Sequence, residues 1–260
     1  MKRLLSAILL WSVPALCAAG ELRLTDASCG APLGFFLPAA SALSAGERTE
    51  IAMRRKLPEE ALKELDAGKS DAVIVEKRFA GDRPQLPLFA EALTLYISTA
   101  NPGVDLTKAQ VWEILRAPRP KWRRYGGADL DIQRSAMKLL APGGTLIRRL
   151  FGEKEPDDEI LSVDSLSAGF AFANSASLFF GPFIALPPPE IRTVKVGGVL
   201  PTTASITGGE YPLALRYVIT YRKFTPELRQ LLEELNREPN RRLMIQTGVL
   251  VTLPVVLPEP

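Results

Sequence analysis

The amino-acid sequence predicts an α/β fold built on a largely parallel sheet. Segments with the alternating pattern of strands take turns with segments of helical spacing through most of the 260 residues. That alternation is typical of strands joined by crossover helices. Hydrophobic residues make up 47% and charged residues 23% of the chain, which favours a folded core over a disordered chain. No internal repeat is evident in the sequence.

The first elements follow one another closely along the chain. Residues 21–27 (ELRLTDA) alternate as a strand does and lead into the turn-like residues 28–30. Pro58 and the two glutamates after it suit the first turn of a helix, because acids favour the positive helix end. Gly68 ends that helix, and residues 71–75 (DAVIV) follow as a strand of the buried type.

The later elements continue the same alternation. Residues 86–98 contain a strand, and Thr107 suits the N-cap of a helix that runs through Leu115. A glycine pair precedes a helix that ends near Phe151. The remaining predictions are strands within residues 130–132, 194–200 and 213–221, a helix that opens at Thr225, and a final helix near residues 241–247. Residues 31–57 and 163–186 have no pattern that divides them into helices and strands.

The first nineteen residues have the pattern of a secretory signal. Lys2 and Arg3 precede an apolar run at 4–16, and the small residues 17–19 then offer a cleavage site. The run is too short for a comfortable membrane span. A lipid anchor at Cys17 is disfavoured, because a leucine precedes it where such signals want a small residue. We expect cleavage at residue 19 and export to the periplasm or beyond.

Composition excludes several kinds of function. The chain has no histidine, so a Ser-His-Asp triad, a Cys-His pair and a His-ligated metal site are ruled out. Removal of residues 1–19, which hold two basic residues and no acid, brings the net charge from +3 to +1. That balance gives no reason to expect nucleic-acid binding. Neither a cofactor nor a metal is expected, and a mechanism based on two carboxylates stays compatible with the composition.

Several segments resemble one family when they are taken in order. These are residues 69–74 (KSDAVI), 105–114 (DLTKAQVWEI) followed by Trp122, 168–171 (AGFA), 198–202 (GVLPT) and 206–213 (ITGGEYPL). Together they resemble the phosphate-binding class of the type II periplasmic binding proteins over residues 22–254. Each segment is weak by itself, and their order and spacing carry the resemblance.

The resemblance implies an α/β fold of two lobes with mixed, mostly parallel sheets and a ligand cleft between them. It divides the chain into a signal peptide (1–19), a discontinuous first lobe (20–97 plus 206–260) and a second lobe (98–205). The chain would cross between the lobes near residues 97–101 and 205–211. The implied ligand is a small inorganic anion, phosphate first. The implied partner is the permease of an ABC-type importer, and no enzymatic activity is implied.

Two stretches of the first lobe could supply ligand contacts. Ser28 and Cys29 follow the first strand, where a hydroxyl and backbone N–H groups could meet an anion, or where the chain could simply turn. In the resembled family a carboxylate after the next strand accepts a hydrogen bond from the protonated anion and disfavours sulfate. Glu76 is at about that place, with Asp71 as the second choice. Either acid could instead be an ordinary surface group.

The second lobe offers a loop before a helix. In the family this loop reads serine-glycine-threonine, and here Gly143, Gly144 and Thr145 take those places, so one hydroxyl is missing. A cation is expected shortly before the loop. Lys138 has the nearer spacing, and Arg134 has the better chemistry for a bidentate contact. The family's serine-glycine loop in the first lobe is replaced here by a basic stretch at 54–58.

Two rival functions remain open at the level of sequence. The altered loops could mean an interaction or signalling domain that keeps the fold and has lost its anion site. An enzyme would have to depend on carboxylates such as Asp71 and Glu76, since no histidine is present. The leading hypothesis is an exported binding protein for a small oxyanion.

Overall fold

The computed structural model describes residues 20–29, 33, 36–46, 49–101, 103–138, 145–152, 159–246, 249–251 and 257. In this part of the chain, helices and strands alternate around one curled sheet of ten strands, and two further strands form a separate pair. The predicted α/β class is therefore confirmed.

The strands of the described residues are short except at the centre of the sheet. They are β1 (Gly20–Ala27), β2 (Thr49–Arg55), β3 (Ala72–Glu76), β4 (Gln85–Ser98), β5 (Asp105–Leu106), β6 (Gln133–Met137), β7 (Leu161–Val163), β8 (Ser177–Pro182), β9 (Ile191–Thr193), β10 (Lys195–Val196), β11 (Ala214–Tyr221) and β12 (Leu250–Val251). The longest, β4, spans 14 residues.

The helices are mostly two or three turns long. They are α1 (Phe36–Ala45), α2 (Pro58–Asp66), α3 (Lys77–Ala80), α4 (Lys108–Arg116), α5 (Thr145–Phe151), α6 (Leu166–Ala171), α7 (Thr203–Gly208), α8 (Pro226–Leu235) and α9 (Glu238–Gln246), with a 3₁₀ turn at Trp122–Tyr125. Within the described residues, none of the helices has the length and apolar character needed to cross a membrane.

The main sheet joins two parallel units through antiparallel strands. Its order is β2-β1-β3-β11-β4-β8-β6-β7, and β9 and β12 also pair with β4. On one side β1 runs parallel to β2 and β3, and on the other β6 runs parallel to β7 and β8. Between them β11 and β4 run antiparallel to their neighbours. The sheet is therefore mixed, with one parallel unit in each lobe.

β4 belongs to both lobes because its pairing partner changes along its length. Its residues as far as Ala92 pair with β11, and from Leu93 onward they pair with β8 and β9. At the same level the N–H of Leu93 donates to the carbonyl of Leu213 at 3.0 Å. This change of partner comes earlier in the chain than the boundary expected at 97/98. The bounds of the lobes stay a prediction.

Helices cover the first lobe through apolar contacts that the sequence pattern indicates. Ala61 and Leu65 of α2 pack with Val73, Val75 and Val218 of the sheet. On the opposite face α1 packs against α8, where Leu228, Leu231, Leu232 and Leu235 are all buried. A fully buried leucine contributes about 1.5–3 kcal/mol, so these faces fix the strands whose ends build the site.

Two of the predicted helix starts are confirmed by their caps. The hydroxyl of Thr107 accepts from the N–H of Gln110 at 3.2 Å, and the Gln110 side chain accepts from the Thr107 N–H at 2.7 Å. At α8 the hydroxyl of Thr225 accepts from the N–H of Leu228 at 3.3 Å. Each cap satisfies a backbone donor that the helix cannot pair.

The undivided stretches turn out to be structured, one predicted strand is misplaced, and of the strand expected at 194–200 only Lys195–Val196 forms a strand. Residues 31–57 contain α1 and β2, and residues 163–186 contain α6 and β8. The strand expected at 130–132 instead begins at Gln133. Ile132 donates its N–H to the carbonyl of Pro120, and Asp131 forms only an isolated bridge with Lys121. The apolar residues that suggested a strand therefore belong to the turn that leads into it.

Candidate functional site

Two predicted site residues lie next to each other where β1 and β3 end. Ala27 is paired with Val75 in these parallel strands, so the residues that follow them, Ser28 and Glu76, come out at the same edge. In open α/β sheets, ligands bind outside the carboxyl ends of the strands. This edge of the first lobe is therefore the place to look for a site.

Ser28 already has an acceptor within its own loop. Its side chain is fully buried, and both its hydroxyl and its N–H donate to Oδ1 of Asp26, at 2.6 Å and 2.9 Å. The second oxygen of Asp26 accepts from Nε of Arg55 at 3.0 Å. The Ser28 hydroxyl hence orders the loop in this structure, and an anion would reach it only if that bond were exchanged.

Cys29 is an exposed free thiol in a constrained backbone position. Its φ angle is 55°, in the left-handed region that residues other than glycine seldom adopt. Partial burial and the charge of Glu76 raise the pKa of the thiol, against the opposing effect of Arg149. The thiol is thus less acidic than a free cysteine, and it lies close to the charged groups described next.

Glu76 is a buried carboxyl group. Its side chain is 4% exposed, and Oε2 lies 2.7 Å from Nε of Arg78, which is largely exposed. Burial raises the pKa of the Glu76 carboxyl, while the positive charges of Arg78 and Arg149 act in the opposite direction. A buried carboxylate of this kind can accept a hydrogen bond from a protonated ligand.

Arg149 of the second lobe reaches the same place. It lies on α5, which connects β6 to β7, and its side chain is 8% exposed. Nη1 lies 2.5 Å from Oε1 of Glu91, whose side chain is 9% exposed. Glu91 is on the part of β4 that pairs with β11. A buried arginine of one lobe therefore meets a buried glutamate of the other.

Tyr217 completes this group of side chains. Its hydroxyl donates to Oε1 of Glu91 at 2.6 Å, and its ring stacks on Phe89 with centroids 4.5 Å apart. The guanidinium of Arg149 lies 5.7 Å from the centre of the same ring. Burial raises the pKa of Glu91, while the charge of Arg149 opposes that rise. We call Glu76, Glu91, Arg149 and Tyr217 the interlobe cluster.

Three of the four residues of this cluster, Glu91, Arg149 and Tyr217, are not predicted by the sequence. Glu91 stands between two alanines in an otherwise apolar strand, and Arg149 follows Arg148 on a short helix. A charged residue in the middle of a buried strand is costly unless it is paired. That signal alone would have singled out Glu91, although nothing in the sequence indicates its partner.

Two further cations lie at the rim of the cluster. Partial burial, together with the positive charge of Arg78, lowers the pKa of Lys108 at the start of α4. The ammonium group of Lys108 is 5.5 Å from the ring of Phe151. Among the described residues Lys108 forms no ion pair. The rim therefore carries a positive charge on each lobe, beside the two carboxylates of the cluster.

Asp71 lies at the other end of β3 from Glu76. Both of its oxygens are taken by the guanidinium of Arg23, at 2.6 Å and 3.0 Å, and the Arg23 N–H donates to it at 2.9 Å. This contact joins neighbouring strands within the first lobe. The structure does not bring Asp71 to the interlobe cluster.

The two candidate cations of the second lobe lie at opposite ends of β6. Arg134, near the amino end, is buried and donates to the carbonyls of Ile114 at 3.0 Å and Ala117 at 2.7 Å, where α4 ends. Lys138, just after the carboxyl end, is 78% exposed and lies 3.8 Å from Asp164. Arg134 thus serves the fold, and Lys138 is a solvated surface cation.

The glycine loop itself lies mostly outside the described residues. Gly143 and Gly144 fall there, and Thr145 is described only as the first residue of α5, without its side chain. Arg149 lies one turn further along the same helix. The prediction that this loop contacts a ligand stays a prediction.

The basic stretch before α2 is bound to acids of its own lobe. Arg55 contacts Asp26 at 3.0 Å, and Lys56 pairs with Glu64 at 3.0 Å and also with Glu60. These cations hold the loop and the helix start together. Because both are engaged with these acids, we do not expect them to replace the missing serine-glycine loop.

The basic run at 116–124 is likewise largely neutralised. Lys121 and Arg123 lie 3.6 Å and 3.5 Å from Asp129, and Arg124 lies 2.6 Å from Glu113. Such exposed pairs contribute little to stability. They do, however, reduce the positive field that could otherwise steer anions. No group of acids and cysteines able to hold a metal ion occurs among the described residues.

The comparisons with known proteins bear on the fold. No family model matches the chain, and no curated protein matches its sequence. A phosphate transport receptor from Vibrio cholerae is similar in structure, with a TM-score of 0.59, 18% identity and coverage of 89% of this chain and 100% of that one. PstS from Borrelia burgdorferi is also similar, with a TM-score of 0.66, 13% identity and coverage of 89% and 98%.

A third similar structure is a possible phosphate binding protein from Planctomyces limnophilus. It has a TM-score of 0.66 and 17% identity, and the match covers 90% of this chain and 94% of that one. The structural similarity extends over nearly the whole of each chain. Because the sequence identity is so low, it is evidence for a shared fold alone. The chain therefore adopts the two-lobed fold of the type II periplasmic binding proteins.

Proposed function

We propose that the chain is an exported receptor that binds a small inorganic oxyanion between its lobes and delivers it to an ABC-type importer. Phosphate is the first ligand to test, because solved structures of similar fold include a phosphate transport receptor. The role is one of binding and release, with no chemical step and no nucleic acid. The signal-like start of the sequence supports export.

The observation that carries the proposal is the position of Arg149. A guanidinium that is 8% exposed lies between the lobes, beside the carboxyl ends of the first-lobe strands. Arginine presents a planar set of donors that matches the oxygens of phosphate and related anions. Lys108 and Arg78 add positive charge at the rim, so the cations at this place outnumber Glu76 and Glu91.

Glu76 supports a ligand that carries a proton. An ionised carboxylate accepts hydrogen bonds and donates none, so it favours hydrogen phosphate over an anion without a proton, such as sulfate. Closure of the two lobes around the anion is the motion expected of such a fold. Both lobes then contribute, Glu76 from the first and Arg149 from the second.

Calorimetry on the mature protein tests the proposal. Phosphate, sulfate, molybdate and small carboxylates are titrated into the wild type, into Arg149→Met and into Lys138→Met. We expect phosphate to bind the wild type and to bind Arg149→Met about 30-fold or more weakly. Lys138→Met is the matched control and should leave the affinity unchanged, because Lys138 is a solvated cation of the same lobe. Equal phosphate affinity of the two variants would show that Arg149 is not part of the binding site.

A second candidate function is an interaction or signalling domain that no longer binds an anion. It is favoured by the internal partners of the site, since Ser28 donates to Asp26 and Arg149 pairs with Glu91. A flat thermal-shift response to every anion in the panel, for the wild type and for variants that break those pairs, would decide for this candidate.

A further inference from the structure

We propose that Glu91 is an internal competitor of the ligand, a carboxylate of the first lobe that occupies Arg149 until an oxyanion replaces it. This inference rests on the proposed function. It goes beyond that function because it assigns to Glu91 control over affinity and over the closure of the empty protein.

The first step is that the ion pair joins the two lobes. Glu91 is on β4 where that strand pairs with Leu215 of β11 in the first lobe. Arg149 is on α5, between two strands of the second lobe. Their contact at 2.5 Å cannot survive a separation of the lobes. The pair therefore favours a closed arrangement without any ligand.

The second step is that the carboxylate of Glu91 has the chemistry of the proposed ligand. It is a pair of partly negative oxygens at the buried guanidinium, and Tyr217 holds it there with a 2.6 Å hydrogen bond. An oxyanion that binds Arg149 in the closed protein must approach the same buried guanidinium, whose Nη1 lies against Glu91. The two anions consequently exclude each other at Arg149.

The third step concerns what happens to Glu91 when it loses its partner. A buried charge without its counter-ion is strongly unfavourable. Glu76 is a second carboxyl group close by, near enough for the charge of Glu91 to contribute to the raised pKa of Glu76. Binding therefore costs the release of Glu91, and the apparent affinity of the wild type is lower than the intrinsic affinity of Arg149 for the anion.

Calorimetry with inorganic phosphate on Glu91→Gln tests this inference. Glutamine keeps the size of the side chain and can still accept from Tyr217, but it carries no charge to compete. We expect phosphate to bind Glu91→Gln about tenfold or more tightly than the wild type, in line with the coupling of close charge pairs. A purely structural ion pair would give the opposite result, because its loss would weaken a site that depends on Arg149.

Asp71→Asn is the matched control. This change also removes the carboxylate from an ion pair with an arginine, in this case Arg23. Both residues of that pair belong to the first lobe, so the pair does not join the lobes. We expect its phosphate affinity to equal that of the wild type. Glu91→Met serves as a second variant if Glu91→Gln folds poorly, since it also removes the competing charge and should raise the affinity.

Small-angle scattering of the ligand-free proteins gives an independent measurement. Glu91→Gln should have a larger radius of gyration than the wild type, because the empty lobes are no longer tied, whereas Asp71→Asn should not differ.

The outcomes separate the two proposals. If the wild type binds phosphate and Glu91→Gln binds it equally or more weakly, the inference on Glu91 is overturned and the proposed function stands. If only Glu91→Gln binds, the inference holds and the natural chain is not a phosphate receptor. If neither binds any anion of the panel, both proposals are overturned.

Discussion

Tyr217 and Arg149 contact the same carboxylate oxygen. Oε1 of Glu91 lies 2.6 Å from the Tyr217 hydroxyl and 2.5 Å from Nη1 of Arg149. A hydroxyl donor and a guanidinium from different parts of the chain thus converge on one buried carboxylate. The hydrogen bond from Tyr217 and the ion pair with Arg149 together connect β11, β4 and α5 at this oxygen.

Replacement of Tyr217 by phenylalanine should destabilise the protein. The ring keeps its stack on Phe89, but a buried carboxylate loses a donor, which costs about 1.5–3 kcal/mol. Urea unfolding of the ligand-free protein measures the change. Tyr221→Phe is the control, since Tyr221 lies in the same strand as Tyr217 and its ring packs against Phe224. An equal loss in both variants would argue against the bond to Glu91 as the cause.

Replacement of Arg134 by leucine should lower stability without a change in anion binding. The guanidinium satisfies carbonyls at the end of α4, and buried carbonyls that lose their donor cost about 1–3 kcal/mol each. The midpoint temperature of thermal unfolding should fall. The phosphate affinity, measured well below that temperature, should equal that of the wild type. A loss of phosphate affinity without a loss of stability would show that Arg134 contacts the ligand.

The sequence predicts the elements of this fold better than it predicts the site. Strands such as β1 and β11 and the capped helices α4 and α8 depend on local patterns, namely alternation, helical spacing and a threonine before the first turn. The sequence places the start of β6 a few residues before its true start at Gln133, because the apolar residues of the preceding turn resemble a strand.

The site depends on contacts that are distant in the chain. Glu91 and Arg149 meet only because β4 passes from one lobe to the other, and no local pattern records that meeting. Local sequence also does not show at which end of a strand a charged residue lies. Arg134 and Asp71 are residue types that suit an anion site, but both lie at the amino ends of their strands. Of the two acids that the resemblance offered, Glu76 lies at the carboxyl end of β3, beside the interlobe cluster, and its contact with a ligand stays a prediction.

Replacement of Glu76 by glutamine should stabilise the protein at neutral pH. Burial raises the pKa of this carboxyl above its unfolded value, so the folded wild type is favoured when Glu76 is protonated. That favourable contribution is complete below the ordinary pKa of glutamate, about 4.3, and is lost as the pH rises through the raised value.

The free energy of unfolding, measured from pH 3.5 to pH 8, checks this prediction. Glu76→Gln should exceed the wild type at neutral pH, and the two should converge in acid. A variant that is less stable than the wild type at pH 7 would show that the ion pair with Arg78 outweighs the cost of burial.

Asp71 should give the opposite dependence on pH. The hydrogen bonds and charge of Arg23 hold the pKa of this carboxyl below its usual value. Its contribution to stability is therefore present above the unfolded pKa of aspartate, about 3.9, and is lost as the pH falls through the depressed value. Asp71→Asn should be less stable than the wild type near pH 6 and approach it below pH 3. Parallel curves for the two proteins over that range would contradict the assignment.

Gly169 is required by the packing of α6 on the sheet of the second lobe. A Cβ at this position would lie 2.5 Å from the ring of Phe179, and that ring is held by Tyr96 and Phe170 on its other sides. Since the ring cannot move away, Gly169→Ala should cost about 1–3 kcal/mol through overpacking.

Gly208→Ala is the control for that change. It also lies in a helix, but a Cβ there would meet only the end of the Glu210 side chain at 3.7 Å. The helical preference of alanine should make this variant as stable as the wild type or more so. Urea unfolding compares the two variants directly. Equal stability of both would mean that α6 can shift away from the sheet to make room for the methyl group.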